Sequence, residues 1–312
     1  MRFIGSHIQP TQRTGFSNCY FSFGDPTNTA VGVGYNRTLA FSNNTESART
    51  AFSSGLRITQ GAGGFSSTNI YHINGYQSGA NNTKNTVLAA SDSTAVLSTT
   101  FSVERRGPCM PMPHFQRSRI YFIGGYSDAL AQYRTDITYI TTATDTATNT
   151  TALTAAKHVA ALLYHNFTCY TCQGYTTGDA LTNTIHKYIL TTDTSSTPSI
   201  TETNSSAQGF GFSNTIFGAR VGGVIGSNSS NIKITYATET KASIANGPEA
   251  FLQTLQGVTS TTSLIGYIWT GYRASTLNRL LHRYTYASDS WSNNSYTTSD
   301  TNNGWIQSSS GA

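Results

Sequence analysis

Short stretches in which apolar and polar positions alternate recur along the whole chain. Thr184-Ile-His-Lys-Tyr-Ile189, Asn231-Ile-Lys-Ile-Thr-Tyr236 and Leu281-His-Arg-Tyr-Thr-Tyr286 follow a period near two, which predicts strands wetted on one side. Ile120-Tyr-Phe-Ile123 is apolar at every position, as a strand covered on both faces would be. Ser, Thr, Asn and Gly separate these runs. Because those residues are poor in helix interiors while Thr, Tyr and Phe suit strands, the pattern predicts an all-β chain.

The strands come in a repeat. An apolar run ending in Gly, usually followed by Tyr, recurs as Tyr71-His-Ile-Asn-Gly75-Tyr76, Ile120-Tyr-Phe-Ile-Gly-Gly125-Tyr126, Cys169-Tyr-Thr-Cys-Gln-Gly174-Tyr175 and Tyr267-Ile-Trp-Thr-Gly271-Tyr272. Weaker copies are Cys19-Tyr-Phe-Ser-Phe-Gly24-Asp25 and Phe217-Gly-Ala-Arg-Val-Gly-Gly223-Val224. Gly24, Gly75, Gly125, Gly174, Gly223 and Gly271 stand 51, 50, 49, 49 and 48 residues apart. A second marker keeps the same step, a strand closed by a short acidic or amide turn. The turns hold Asn44, Asp92, Asp145, Asp193, Glu239 and Asp289, each flanked by Ser or Thr. Short polar side chains suit such turns because they bond nearby backbone amides.

After each turn a further short stretch is expected to complete the unit, as in Gly55-Leu-Arg-Ile58, Phe101-Ser-Val103, Ala152-Leu-Thr-Ala155 and Phe251-Leu-Gln-Thr254. Four strands in a unit of about 49 residues, each unit one sheet, is the pattern of a β-propeller blade. A single domain spanning 1–312 with six blades is therefore expected. Its ring would close by pairing the two chain ends, with residues 3–8 and 296–306 as the candidate strands.

Three stretches resemble a known family. Pro108-Cys-Met-Pro-Met-Pro113, Arg117 and Ile120-Tyr-Phe-Ile-Gly-Gly-Tyr126 resemble the kelch repeat, which places a link bearing Pro and Arg before an apolar strand ending in a double Gly. Asn183-Thr-Ile-His-Lys-Tyr188 with Asp193, and 278–286 with Asp289, resemble the strand that follows it. The Trp that kelch blades place after the acidic turn is represented by Trp291 alone. In its Gly-Tyr strands and Thr/Ser/Asn-rich links the chain is also similar to degenerate kelch-like propellers of tailed-bacteriophage structural proteins. That resemblance implies a component of the tail, neck or surface projection, present in several copies.

Composition narrows the function classes. The 312 residues include 110 Ser, Thr and Asn, only 11% charged residues, and 37% hydrophobic residues with 18 Tyr and 15 Phe, enough to build a core. The net charge of +5 is spread thinly, with no Lys/Arg run to follow phosphates, so nucleic acid is not an expected partner. No apolar stretch approaches the ~20 residues of a membrane span, and residues 1–15 lack the apolar core of a secretory signal. Assembly in a host cytoplasm, with the virion as destination, is the expectation. Four Cys do not make a disulfide scaffold, and Cys169 and Cys172 are expected in a strand as buried structural residues. The seven His show no metal-ligand spacing, so neither metal nor other cofactor is expected.

Three functions fit this reading. The first is a non-enzymatic virion protein that serves assembly or host attachment. Its partners would be other virion proteins, with a host-surface glycan or receptor as a further candidate. The second is a cellular kelch-like adaptor. The third is a sialidase-like enzyme, because the turns at Asp92, Asp145, Asp193 and Asp289 resemble the Asp-box of such propellers. They lack the Gly two residues beyond the Asp, and no convergent acid pair stands out among 14 acidic residues. Catalytic residues are accordingly assigned to none. The six marker glycines and the four turn aspartates are the structural positions singled out.

Overall fold

The computed structural model describes residues 118–127, 129–150, 152–157, 160–165, 167–207, 209–214, 216–223, 231–244 and 282–292 with side chains, and the backbone of strands elsewhere. Apart from a single 3-10 turn at Thr177–Asp179, every described element is β, and every strand pair is antiparallel. The first sheet runs Ile306–Gly311, Asn18–Phe23, Asn36–Ala40, Thr45–Arg49. The second runs Ala62–Phe65, Asn69–Ile73, Lys84–Leu88, Thr94–Val96. In the third, Arg119–Ile123, Ile137–Thr141 and Thr146–Thr150 follow one another.

The fourth sheet runs Ala161–His165, Thr168–Cys172, Ala180–Ile189, and its last strand is split. Thr194–Ser196 pairs with one half of Ala180–Ile189 and Thr201–Ser206 with the other. The fifth runs Phe210–Ser213, Phe217–Val221, Ile232–Thr235, Thr240–Ser243, and the sixth Gln256–Ser260, Ile265–Arg273, Thr276–Thr285, Ser290–Thr297.

The packing follows from strand alternation. Successive side chains point to opposite faces, and in the fourth sheet both faces are covered. Leu162, Tyr164, Cys169 and Tyr188 pack with Tyr121, Ile123 and Ile137 of the third sheet. Leu163, Tyr170, Cys172 and Ile185 pack with Ile232, Ile234 and Tyr236 of the fifth. Phe210, Phe212, Ala219 and Val221 in turn meet Tyr284 and Tyr286 of the sixth. Cys169 and Cys172 are thus buried on opposite faces and are not joined in a disulfide. Each fully buried large apolar side chain contributes about 1.5–3 kcal/mol.

The same neighbour relation extends through the strands described by backbone. Ala62–Phe65 of the second sheet touches both Ile306–Gly311 of the first and Arg119–Ile123 of the third. Gln256–Ser260 of the sixth touches Phe210–Ser213 of the fifth and, on its other side, Ile306–Gly311 of the first.

Two details differ from the expectations above. The chain ends pair through Asn18–Phe23 and Ile306–Gly311, with Phe21 opposite Ser309, while 296 belongs to the last strand of the sixth sheet. Residues 3–8 lie outside the described residues. In the third to sixth sheets the strand after the acidic turn begins directly behind it, and Ala152-Leu-Thr-Ala155 is not a strand. The other three stretches named for that role lie outside the described residues. Apolar content misled here because an edge strand such as Thr146–Thr150, largely exposed, needs none. His186 and His282 are buried.

Candidate functional site

The two ends of each sheet are built differently. In the third to sixth sheets, one end holds the hairpin that carries the acidic turn. Its closing pairs are Thr141 with Thr146, Ile189 with Thr194, Thr235 with Thr240 and Thr285 with Ser290, leaving a four-residue loop each time. The last loop residue is Asp145, Asp193, Glu239 or Asp289, with φ of 54°, 50°, 49° and 51°. A left-handed residue is needed there, and Asp tolerates that conformation better than most. The flanking hydroxyls bond across the acid, at 2.7 Å for Thr144 with Thr146, Thr192 with Thr194, and Thr238 with Thr240, and 2.5 Å for Ser288 with Ser290. The Thr-acid-Thr sequence is therefore a structural unit. Asp92 lies outside the described residues.

The acids reach beyond their own loops. Lys187 Nζ of the fourth sheet donates to Glu239 Oε1 of the fifth at 2.5 Å, and Lys233 Nζ of the fifth to Asp289 Oδ2 of the sixth at 2.5 Å. The hydrogen bond from Lys187 holds the Glu239 carboxyl below its ordinary range. Burial pushes the Asp289 carboxyl up, but Lys233 and Tyr284 together outweigh it and leave the group lowered. Asp193 accepts from Tyr188 at 2.7 Å, and Tyr188 is also bonded to Thr150 of the third sheet at 3.0 Å. Neighbouring sheets are stitched at this end by repeated polar links.

At the opposite end of the third, fourth and fifth sheets, the strand that precedes this hairpin breaks. Gly125, Gly174 and Gly223 have φ of 109°, 105° and 118°, and the residue before each is also left-handed: Gly124 at 66°, Gln173 at 59°, Gly222 at 66°. The break frees the Gly N–H from the ladder. Gly125 donates to Lys157 O and Gly174 to Ser206 O, both at 2.7 Å, tying the strand end to the segment leading into the next sheet. The Tyr after the Gly then starts a short ribbon, Tyr126–Ser127 with Gln132–Tyr133, or Tyr175–Thr176 with Ala180–Ile189. Gly271 lies within the continuous strand Ile265–Arg273, at a register shift, while Gly24 and Gly75 lie outside the described residues.

Charged groups are buried at this end. Gln173 Nε2 donates to Glu202 Oε2 at 2.6 Å and to Asn204 O at 2.7 Å, and Gln173 Oε1 accepts from Arg220 Nη2. Arg220 Nε lies 3.9 Å from Glu202 Oε2, with Arg220 0% and Glu202 2% exposed. Glu202 Oε1 has no hydrogen-bond partner among the described residues. Burial pushes the Glu202 carboxyl up to about 7, against the pull of Arg220, Lys241, Lys157 and Gln173. Beside it, Lys157 is fully buried and donates to Thr184 O and Oγ1, both at 2.9 Å. His186 Nδ1 is 2.6 Å from Thr154 Oγ1, and burial with nearby Lys157 lowers the imidazole to about 4, so it is neutral at pH 7.

Sequence reasoning singled out none of Lys157, Gln173, His186, Glu202 or Arg220. A signal was present in the repeat itself. Glu202 stands 49 residues after Leu153 and 49 before Phe251, an acid at an otherwise apolar position. Arg220 matches Phe122 and Thr171 when the marker glycines are aligned, and Gln173 replaces the first glycine of the pair. The three departures from the repeat meet in space. Among the described residues no group of three or more His, Cys, Asp or Glu is placed to hold a metal ion, and no helix is long and apolar enough to cross a membrane.

No family model matches the chain, and no curated protein matches it. Solved structures do. One described as the structure of YjhT is 12% identical, covers 89% of this chain and 94% of its own, and superposes with a TM-score of 0.71. At that identity the likeness speaks for the fold alone: an all-β arrangement of antiparallel sheets shared over nearly the full length of both chains.

Proposed function

We propose that the chain is a six-bladed β-propeller acting as a non-enzymatic structural component of a tailed-bacteriophage virion, in assembly, host attachment or both. The observation that carries this reading is the succession of sheet contacts, from each sheet to the next and from the sixth back to the first, combined with pairing of the terminal strands. Sheets covered on both faces by their neighbours leave short edges and hold their loops in fixed geometry. The repeated links from Lys187 to Glu239 and from Lys233 to Asp289 add to that stiffness. A rigid loop-bearing ring presents a preorganised surface, which lowers the ordering cost of binding. Its partners in this reading are other virion proteins, with a host-surface glycan or receptor as the attachment target, and its location is the particle.

Mass spectrometry and cryo-EM of purified particles of the encoding virus test the role. The chain is expected at a fixed stoichiometry and at a defined place in the tail, neck or surface projection. Its absence from infectious particles would overturn the proposal.

A further inference from the structure

The contact between the fourth and fifth sheets has a feature that neither the repeat nor a purely mechanical role requires. Over its middle this contact is apolar or uses neutral groups, as where Tyr236 OH donates to Ser213 Oγ at 2.6 Å and Tyr164 O accepts from it at 3.1 Å, and the Lys187–Glu239 pair at its hairpin end stays partly exposed. At the glycine end a carboxyl group, an amide and a guanidinium sit together out of water. Their order is fixed by donor and acceptor chemistry: Arg220 donates to the Gln173 oxygen, and the Gln173 nitrogen donates to Glu202. Gln173 thus joins a cation of the fifth sheet to an acid on the last strand of the fourth.

The groups facing Glu202 come from several elements. Arg220 belongs to the second strand of the fifth sheet, and Lys241, from the fifth sheet's last strand, donates to Thr201 O at 2.8 Å and Thr203 Oγ1 at 3.2 Å. Gln173 comes from the strand break, Lys157 from the segment before the fourth sheet, and Asn183 Nδ2 donates to Glu202 O at 3.1 Å. None of the hydrogen bonds to the carboxyl reaches Oε1. A buried carboxylate with an oxygen lacking a donor costs more than the neutral acid in the same place.

We propose that the Gln173, Glu202 and Arg220 cluster is a proton-operated latch between the fourth and fifth sheets, shut when Glu202 is neutral and loosened when it ionises. The sign follows from the environment. The folded form keeps its proton up to about pH 7, while an opened form releases it in the ordinary carboxylate range. Closure is therefore most favourable below that range and weakens as pH rises through it toward 7. Above pH 7 both forms are ionised and the weakening levels off. The strand carrying Glu202 pairs with Ala180–Ile189 only through Thr182 and Thr184, with a register shift between them, so it can move without disturbing the inner ladder.

Hydrogen exchange of the full chain, corrected for intrinsic chemical rates, tests the latch at pH 5.5 and pH 8. The amides of Gly174 and Thr182, which bond Ser206 O and Gly174 O, are expected to open about tenfold or more readily at pH 8. Glu202→Gln, a neutral near-isostere, is expected to remain protected at both pH values. A pH response surviving in that variant, or none in the parent protein, would overturn the latch. Should the variant fail to fold, carboxyl carbon NMR of the parent protein decides: one Glu titrating near pH 7 with coupled shifts at Gln173 and Arg220 supports it. All Glu titrating below pH 5 would overturn it.

Discussion

The hairpin end and the glycine end of the same sheets solve the same problem, holding neighbours together, in opposite ways. The hairpin end repeats a single device: a four-residue loop, a left-handed acid, and hydroxyls on either side, with Tyr or Lys to receive the acid's charge. The glycine end keeps only the backbone break in common, and its side chains differ from sheet to sheet. Where the third sheet has Phe122, Gly124 and Leu153, the alignment places Arg220, Gln173 and Glu202 around the contact of the fourth and fifth. Repetition gives stiffness through many weak, partly solvated links. Departure from repetition concentrates a strong, conditional interaction in one place.

Removing the cation of the buried cluster should have the largest effect. At pH 8, where Glu202 is ionised, Arg220→Ala leaves the carboxylate buried without its cation and is expected to cost about 3–5 kcal/mol in chemical denaturation. The triple replacement Gln173→Gly, Glu202→Leu and Arg220→Phe, which restores the residues of the other repeats, is expected to recover most of that loss, because apolar packing can replace a buried ion pair at little cost. If the triple variant is as unstable as the single one, the cluster is not a self-contained departure from the repeat.

Next comes the close approach of the fourth and fifth sheets. A Cβ at Gly211 would lie 2.2 Å from Leu162 O, a backbone atom of the neighbouring sheet, so the backbones must move apart. Gly211→Ala is expected to lower the unfolding free energy by about 1–3 kcal/mol or more. Gln173→Gly should cost less, about 1–2 kcal/mol. The gain from relieving a left-handed non-glycine residue offsets part of the lost hydrogen bonds to Glu202 and Arg220. A stabilised variant would show that Gln173 is tolerated there rather than used.

The smallest effects belong to the hairpin end. A double-mutant cycle on Lys187→Met and Glu239→Gln is expected to give a coupling of about 0.2–1 kcal/mol, since both side chains are more than a quarter exposed. The Glu239 carboxyl is held below its ordinary value, so the coupling is present above the ordinary carboxylate range and fades as pH falls through the folded value. It should also fade with salt. A coupling as large as that of the buried cluster would erase the contrast between the ends.

Much of this was legible in the chain. The Gly-Tyr beat marks the strand breaks at Gly125, Gly174 and Gly223, and the acidic beat marks the loops at Asp145, Asp193 and Asp289, because both are backbone requirements that only a few residue types meet. The fourth strands were harder to see, since Thr146–Thr150 lies at a sheet edge and has no apolar face to reveal it. Glu202 and Arg220 were invisible to motif reading for another reason. Each looks like an ordinary polar residue in a Thr/Ser-rich link or a degenerate strand, and only their common location across 18 residues of sequence and two sheets gives them meaning.

Closure of the proposed ring through the chain ends is tested most directly by a crosslink. With Cys19→Ser to remove the neighbouring thiol, Phe21→Cys and Ser309→Cys place thiols at paired positions of Asn18–Phe23 and Ile306–Gly311. Mild oxidation of the native protein should form this disulfide within a single chain, mapped by mass spectrometry, with a raised unfolding midpoint. Crosslinks that form only between chains, or only after denaturation, would contradict the closure and the ring built on it.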